Sequence, residues 1–149
     1  MRAVIQKVKN ANVKVDGDTV GEIQKGFLIF LGIEAGDTQS DLAYIVGKIS
    51  KIRIFEDADD KMNLSIKDVG GAVLSISQFT LLGDARKGNR PSLTGAEKPE
   101  KAKEIYLKFN EELRKEGIKV AEGIFQADME VSLVNDGPVT ILLDSRKLF

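Results

Sequence analysis

Seven consecutive residues, Phe27-Leu28-Ile29-Phe30-Leu31-Gly32-Ile33, carry no polar side chain. The run is far shorter than the roughly 18 residues of a membrane span, and it has no polar face for an amphipathic helix. A strand buried on both faces accounts for it, because alternate side chains point to opposite sides of a sheet and here both sides are apolar. The sheet that holds this strand must therefore be covered twice.

Only two helical patterns are available to cover it. Thr38 and Asp41 have the spacing of a capping box, and Leu42, Ile45, Val46, Ile49 and Ile52 follow at steps of three and four. Lys48, Lys51 and Arg53 sit where positive charge complements the end of that helix. A second helix is predicted over residues 99–115, with Ala102, Ile105, Tyr106, Phe109 and Leu113 on one face. The remaining patterns are strands: residues 2–9, a break at Asn10-Ala11, then Asn12–Val15 and its return Thr19–Ile23 across Asp16-Gly17. Further strands are predicted at Ala72–Leu82, Ile118–Val120, 129–134 and Ile141–Leu143, about seven or eight in all, with Arg53–Phe55 as a short candidate beside them.

Hairpins at both ends make the expected fold an α/β one, with a mixed, mostly antiparallel sheet and both helices on one face. Two helices cannot cover both faces of so much sheet. The other face must pack on a second sheet, in a three-layer α/β/β arrangement, or on another subunit. With 149 residues, no repeat and no linker, one domain over 1–149 is expected. The N-terminus reads as a first strand and not a signal peptide, and nothing is apolar enough to span a membrane, so a cytoplasmic location is expected.

Absences limit the chemistry. The chain has no His and no Cys, which removes Ser-His and Cys-His catalysis and most zinc sites. Any hydrolysis must use carboxylates, hydroxyls, backbone groups or the substrate itself. Net charge is −1, so nothing global demands nucleic acid. Asp57, Asp59 and Asp60 lack the spacing of a calcium loop and read as a solvated turn; no metal and no cofactor is expected.

Three stretches stand out. Ser77-Gln78-Phe79-Thr80 closes an apolar strand with polar side chains, which is either ordinary strand-end chemistry or a site. Arg86-Lys87-Gly88-Asn89-Arg90 is the densest positive cluster, either a solvated loop or a phosphate contact. Asn135-Asp136-Gly137-Pro138-Val139-Thr140 reads locally as a turn between two strands, since Asp-Gly favours hairpins and Pro donates no backbone hydrogen bond.

Taken in this order, together with Met1–Val8 and Arg53-Ile54-Phe55-Glu56-Asp57, the stretches resemble the D-aminoacyl-tRNA deacylases over essentially the whole chain. The resemblance implies a homodimer that hydrolyses the ester between a D-amino acid and the 3′ end of tRNA. It implies a cis Gly137–Pro138 bond reaching into the partner subunit's site, where a rigid backbone rejects L-amino acids. Glycine has no side chain to reject, so glycyl-tRNA is an expected substrate. Ser77, Gln78, Phe79 and Thr80 are the implied catalytic strand end, whose N–H groups hold the oxyanion. Thr80 is the only plausible protein nucleophile in this motif. Without a His to activate it, assistance by the substrate's 2′-OH is preferred. Phe125 and Met129 are implied to line the pocket, with core packing as their other role, and Lys87 and Arg90 are candidates for tRNA contact. Two departures matter: Lys7 stands where the family usually has Arg, and Gln126 where a small residue is usual. A fold of this kind also serves as an editing domain on some archaeal threonyl-tRNA synthetases. The alternatives are therefore a non-catalytic RNA-binding or editing-accessory module and a small-molecule esterase.

Overall fold

The computed structural model describes residues 1–149. Along it run β1 (Arg2–Val15), β2 (Asp18–Ile23), β3 (Gly26–Gly32), α1 (Gln39–Lys51), β4 (Phe55–Glu56), β5 (Met62–Leu64), β6 (Ala72–Ser77), α2 (Pro99–Lys115), β7 (Lys119–Glu122) and β8 (Glu130–Asp144). A 3-10 turn, Phe79–Leu82, follows β6. The main sheet has the order β2-β1-β3-β6-β7, with β8 also paired to β1, and β4 and β5 form a separate ribbon.

β1 organises the sheet. β8 follows one of its edges from Arg2 to Lys14, so β3 (against residues 2–8) and β2 (against 11–15) share the other in succession. Register shifts at Gln6/Val8 and Val8/Asn10 bend the strand, which lets its two halves serve two layers. Its first half joins β3, β6 and β7. Its second half, with β2 and the start of β8, folds over the back of that sheet.

Two cores result. Ala3, Ile5, Phe27, Ile29, Leu31 and Val73 meet Leu42, Ile45 and Ile49 of α1 and Tyr106, Phe109 and Leu113 of α2. Val8, Ala11, Val13 and Ile23 meet Leu28, Leu74 and Ile76 from the other side. Alternate residues of Phe27–Leu31 thus enter opposite cores, and the α/β/β layering expected from that run is present. The α1 cap is also as expected, with Thr38 N–H donating to the Asp41 carboxylate at 2.7 Å.

Three local expectations change. Asn10 and Ala11 do not break β1, because bulges bend it without interrupting the ladder. The strand beginning at Ala72 stops at Ser77 and not Leu82, because β3 has run out and Gln78 N–H makes the last bond, to Leu31 O at 2.8 Å. The chain then coils over Gly32, where a Cβ would lie 2.6 Å from Leu82 Cδ2 and 3.0 Å from the Gln78 carbonyl.

The third change concerns Asn135–Thr140, which does not reverse the chain. β8 is continuous, and both flanks pair with the same strand: Asn135 faces Val8, Thr140 faces Gln6, and residues 136–139 loop out opposite Lys7. Asn135 closes the base of the loop, its Nδ2 donating to the Lys7 and Val139 carbonyls at 2.9 Å each. Gly137, at φ +129°, supplies a conformation that other residues rarely adopt.

β3, β6 and β7 are parallel to one another, with α2 joining the last two; every other pairing is antiparallel. The carboxyl ends of these three strands therefore open at the same end of the sheet.

Candidate active site

A cavity of about 660 Å³ lies at that end. Leu31 and Ile33 come from the end of β3, and Ile76, Ser77, Gln78 and Phe79 from the end of β6. Lys98, Pro99 and Ala102 come from the start of α2, and Phe125, Gln126 and Met129 from the segment between β7 and β8. Parallel strands leave such a crevice because their connections depart to cover the faces. Most of the lining is apolar, with a few polar groups among it, as in sites that orient a small ligand moiety.

The strand end supplies the polar groups. Leu74 and Ile76 enter the second core, so strand alternation turns Ser77 towards the helix side. Leu81 N–H bonds back to Gln78 O at 3.2 Å, so the N–H groups of Phe79 and Thr80 head the 3-10 turn with no acceptor inside it. Phe79 lines the cavity while 57% exposed, an unusual position for a large aromatic ring. Thr80 is exposed and lies outside the lining; its hydroxyl pairs with the Gln78 carboxamide, and no carboxylate or amine bonds to it.

The structure brings Ser77, Gln78 and Phe79 together with Phe125 and Met129. It does not bring Gly137 and Pro138 to them within one chain. Their peptide bond is cis and both residues are exposed on the β8 loop. From that loop to Ser77 the pairings count three strand spacings across and four residues along, roughly 20 Å.

Lys7 supports the loop from below. It is 1% exposed, with Nζ bonded to both Glu56 oxygens at 2.7 Å and lying 3.8 Å from Asp136. The Lys7 hydrogen bond holds the Glu56 carboxyl below its usual range. A lysine thus reaches the loop's acid as a point charge, without the fork an arginine would present.

The basic loop is a separate feature. Asp84 and Ser92 exchange backbone hydrogen bonds that pinch it at the base. Asp84 also binds Arg86 through both oxygens, which holds the Asp84 carboxyl far below the usual range and occupies Arg86. Lys87 and Arg90 are exposed, make no ion pair and do not line the cavity. The acidic stretch is a turn in which Asp57 accepts from the Asp59 and Lys61 N–H groups and from Asn63. No group of three or more such acids is placed to hold a metal.

Lys98, Pro99 and Ala102 line the cavity, and no sequence motif marks them for it. The helix start was legible, with Pro99 at its first turn. Which strand end it faces is decided by the β6–α2–β7 crossover.

Comparisons with known proteins point the same way. The family described as D-Tyr-tRNA(Tyr) deacylase matches residues 4–144. Proteins named D-aminoacyl-tRNA deacylase from Syntrophobacter fumaroxidans and Halothermothrix orenii are each 58% identical over 149 residues, covering all of both chains. A solved structure named c-Myc DNA Unwinding Element Binding Protein is 40% identical, covers 97% of this chain and 98% of its own, and superposes with a TM-score of 0.91. A probable eukaryotic D-amino acid tRNA deacylase, 15% identical, shares the fold at a TM-score of 0.81 over 95% of this chain and 97% of its own. The motif order, the layered sheet and these full-length matches agree: the chain belongs to the D-Tyr-tRNA(Tyr) deacylase family.

Proposed function

We propose that this chain hydrolyses the ester between a D-amino acid and the 3′ end of tRNA, freeing mischarged tRNA for reuse in translation. The observation that carries this is the meeting of Ser77, Gln78 and Phe79 with Phe125 and Met129 around one cavity, in a member of this family. Hydrolysis of D-tyrosyl-tRNA beside L-tyrosyl-tRNA tests it; the D form is released and the L form persists.

The chemistry follows from what the cavity lacks. Thr80 has a hydroxyl and no base, so it makes a poor nucleophile. Water attacks instead, assisted by the 2′-OH that the substrate carries beside the ester. The protein contributes position and the N–H groups of the Phe79–Thr80 turn, which stabilise the developing oxyanion. Thr80→Val therefore keeps most activity, whereas a substrate ending in 2′-deoxyadenosine reacts slowly. Complete loss in Thr80→Val, with tRNA binding intact, would instead make Thr80 the nucleophile.

Chirality is imposed by the Gly137-Pro138 loop acting on a second subunit. Two features support this assignment: the loop is exposed, and about 20 Å of sheet separates it from its own cavity. β8 also has one edge unpaired along its length, a surface a partner can cover. A backbone that excludes side chains from one direction has nothing to exclude in glycine, so glycyl-tRNA is hydrolysed as well. Lys87 and Arg90 contact the tRNA backbone. No helix is long and apolar enough to cross a membrane, and the activity belongs with translation in the cytoplasm.

One neighbour's name favours a second reading, a nucleic-acid-binding module without catalysis. A chain that binds tRNA with salt-dependent affinity yet leaves D-tyrosyl-tRNA intact would establish it.

A further inference from the structure

Tyr106 lies one turn of α2 beyond Ala102, which lines the cavity, and is itself 1% exposed. Its hydroxyl donates to the Ser75 carbonyl at 2.7 Å. The same carbonyl accepts the Gly123 N–H at 3.1 Å, just past Ser75–Glu122, the last pair of the β6–β7 ladder. The Tyr106 ring packs against Phe125, with centroids 6.0 Å apart and planes inclined by 35°. One side chain therefore touches both walls of the cavity, two residues before Ser77 by its hydroxyl and at Phe125 by its ring.

The surroundings leave this hydroxyl a specific task. Burial pushes the Tyr106 phenol up from its ordinary value, so it stays protonated and remains a donor. Asn110, the next turn along, is fully buried and within reach of the hydroxyl. Both of its carboxamide atoms and the Ser75 hydroxyl lack well-formed partners. In this polar node, the Tyr106–Ser75 bond is the one that ties α2 to β6. Without it the Ser75 carbonyl keeps only the Gly123 N–H, and α2 no longer holds the point where β6 meets the segment leading to Phe125.

We propose that Tyr106 is a positioning residue for this reaction: it sets the spacing between the Ser77–Phe79 strand end and the Phe125 wall. The assignment rests on the deacylase activity proposed above. Oxyanion donors work only at the right distance, so a small shift at Ser75 reduces turnover more than binding.

The test compares Tyr106→Phe with Ile49→Val, a core change on α1 at a residue that does not line the cavity. Both are assayed on D-tyrosyl-tRNA at 25 °C, with melting temperatures measured alongside. Hydrogen exchange of residues 76–80 and 123–127 supplies a readout independent of activity. Tyr106→Phe is expected to lower kcat about tenfold with KM within twofold, and to speed exchange in both segments. Ile49→Val lowers the melting temperature and changes neither. Unchanged kcat in Tyr106→Phe, or losses that track melting temperature in both variants, would overturn the role. If the wild type itself leaves D-tyrosyl-tRNA intact, the deacylase activity fails. Tyr106 is then judged on exchange: faster exchange confined to the two segments supports its anchoring role, and none overturns it.

Discussion

Gly32 shows how a single missing side chain shapes the site. The turn Phe79–Leu82 packs where its Cβ would be, 2.6 Å from Leu82 Cδ2 and 3.0 Å from Leu81 Cβ. Gly32→Ala forces the turn outward, at a cost of about 1–3 kcal/mol. Urea denaturation should show that loss, and kcat should fall with it because the N–H groups of Phe79 and Thr80 move too. Phe79 makes the opposite case. Its ring is 57% exposed while lining the cavity, so Phe79→Ala should leave stability within about 0.5 kcal/mol yet raise KM or lower kcat. Sequence marked Phe79 through its motif. Gly32 is inconspicuous inside an apolar run, because its importance is set by a turn some fifty residues away.

At the scale of elements, the first turn of α1 carries a pH dependence. Burial pushes the Asp41 carboxyl up, but hydrogen bonds from the Thr38 backbone and from nearby hydroxyls outweigh it and lower it from 3.8 to about 2. The folded value lies below the unfolded one. The cap's contribution is therefore complete above the unfolded value and is lost as pH falls from about 4 towards 2. Thermal unfolding followed across that window should show a steeper decline for the wild type than for Asp41→Asn. The β8 loop is the other element, the one on which the proposed discrimination depends. Asn135→Ala removes both bonds that close its base and should cost about 1 kcal/mol. It should also lower the ratio of D- to L-tyrosyl-tRNA hydrolysis, by freeing Gly137 and Pro138 to move. The helices were legible because their stripes and caps are local. In the sequence the β8 loop reads as a turn because Asp-Gly and Pro signal a change of direction; they do not reveal that one partner strand continues past it.

At the scale of the whole molecule, the proposed gate in trans can be read from mixed dimers. Gly137→Ala introduces a side chain at φ +129°, with its Cβ 2.8 Å from Val139 Cγ2, so the loop must shift and discrimination should fall. Phe79→Ala disables the pocket and leaves the loop intact. Dissociating and reassembling the two variants together should recover discriminating activity, because the sound loop of one subunit guards the sound pocket of the other. No recovery in a confirmed mixed dimer would mean that the loop acts within its own chain. Salt gives a second molecular readout: a Lys87→Gln/Arg90→Gln double variant should lower the slope of log affinity for tRNA against log salt by about 1–2.

The need for layers on both sides of the central strand is written in the residues alone. A run apolar on both faces demands two coverings, and two amphipathic stripes can provide only one of them, so a second sheet or a partner had to provide the other. Motif order and the absence of His and Cys narrowed the chemistry. Tertiary structure decided the placement: β1 bending so that one strand serves two layers, three parallel strand ends opening together, and Gly137-Pro138 standing across the sheet from Ser77–Phe79. Those outcomes depend on pairings between residues as distant as Lys7 and Asn135. Local periodicity carries no information about such pairings, because it records which face of an element is dry and not which element dries it.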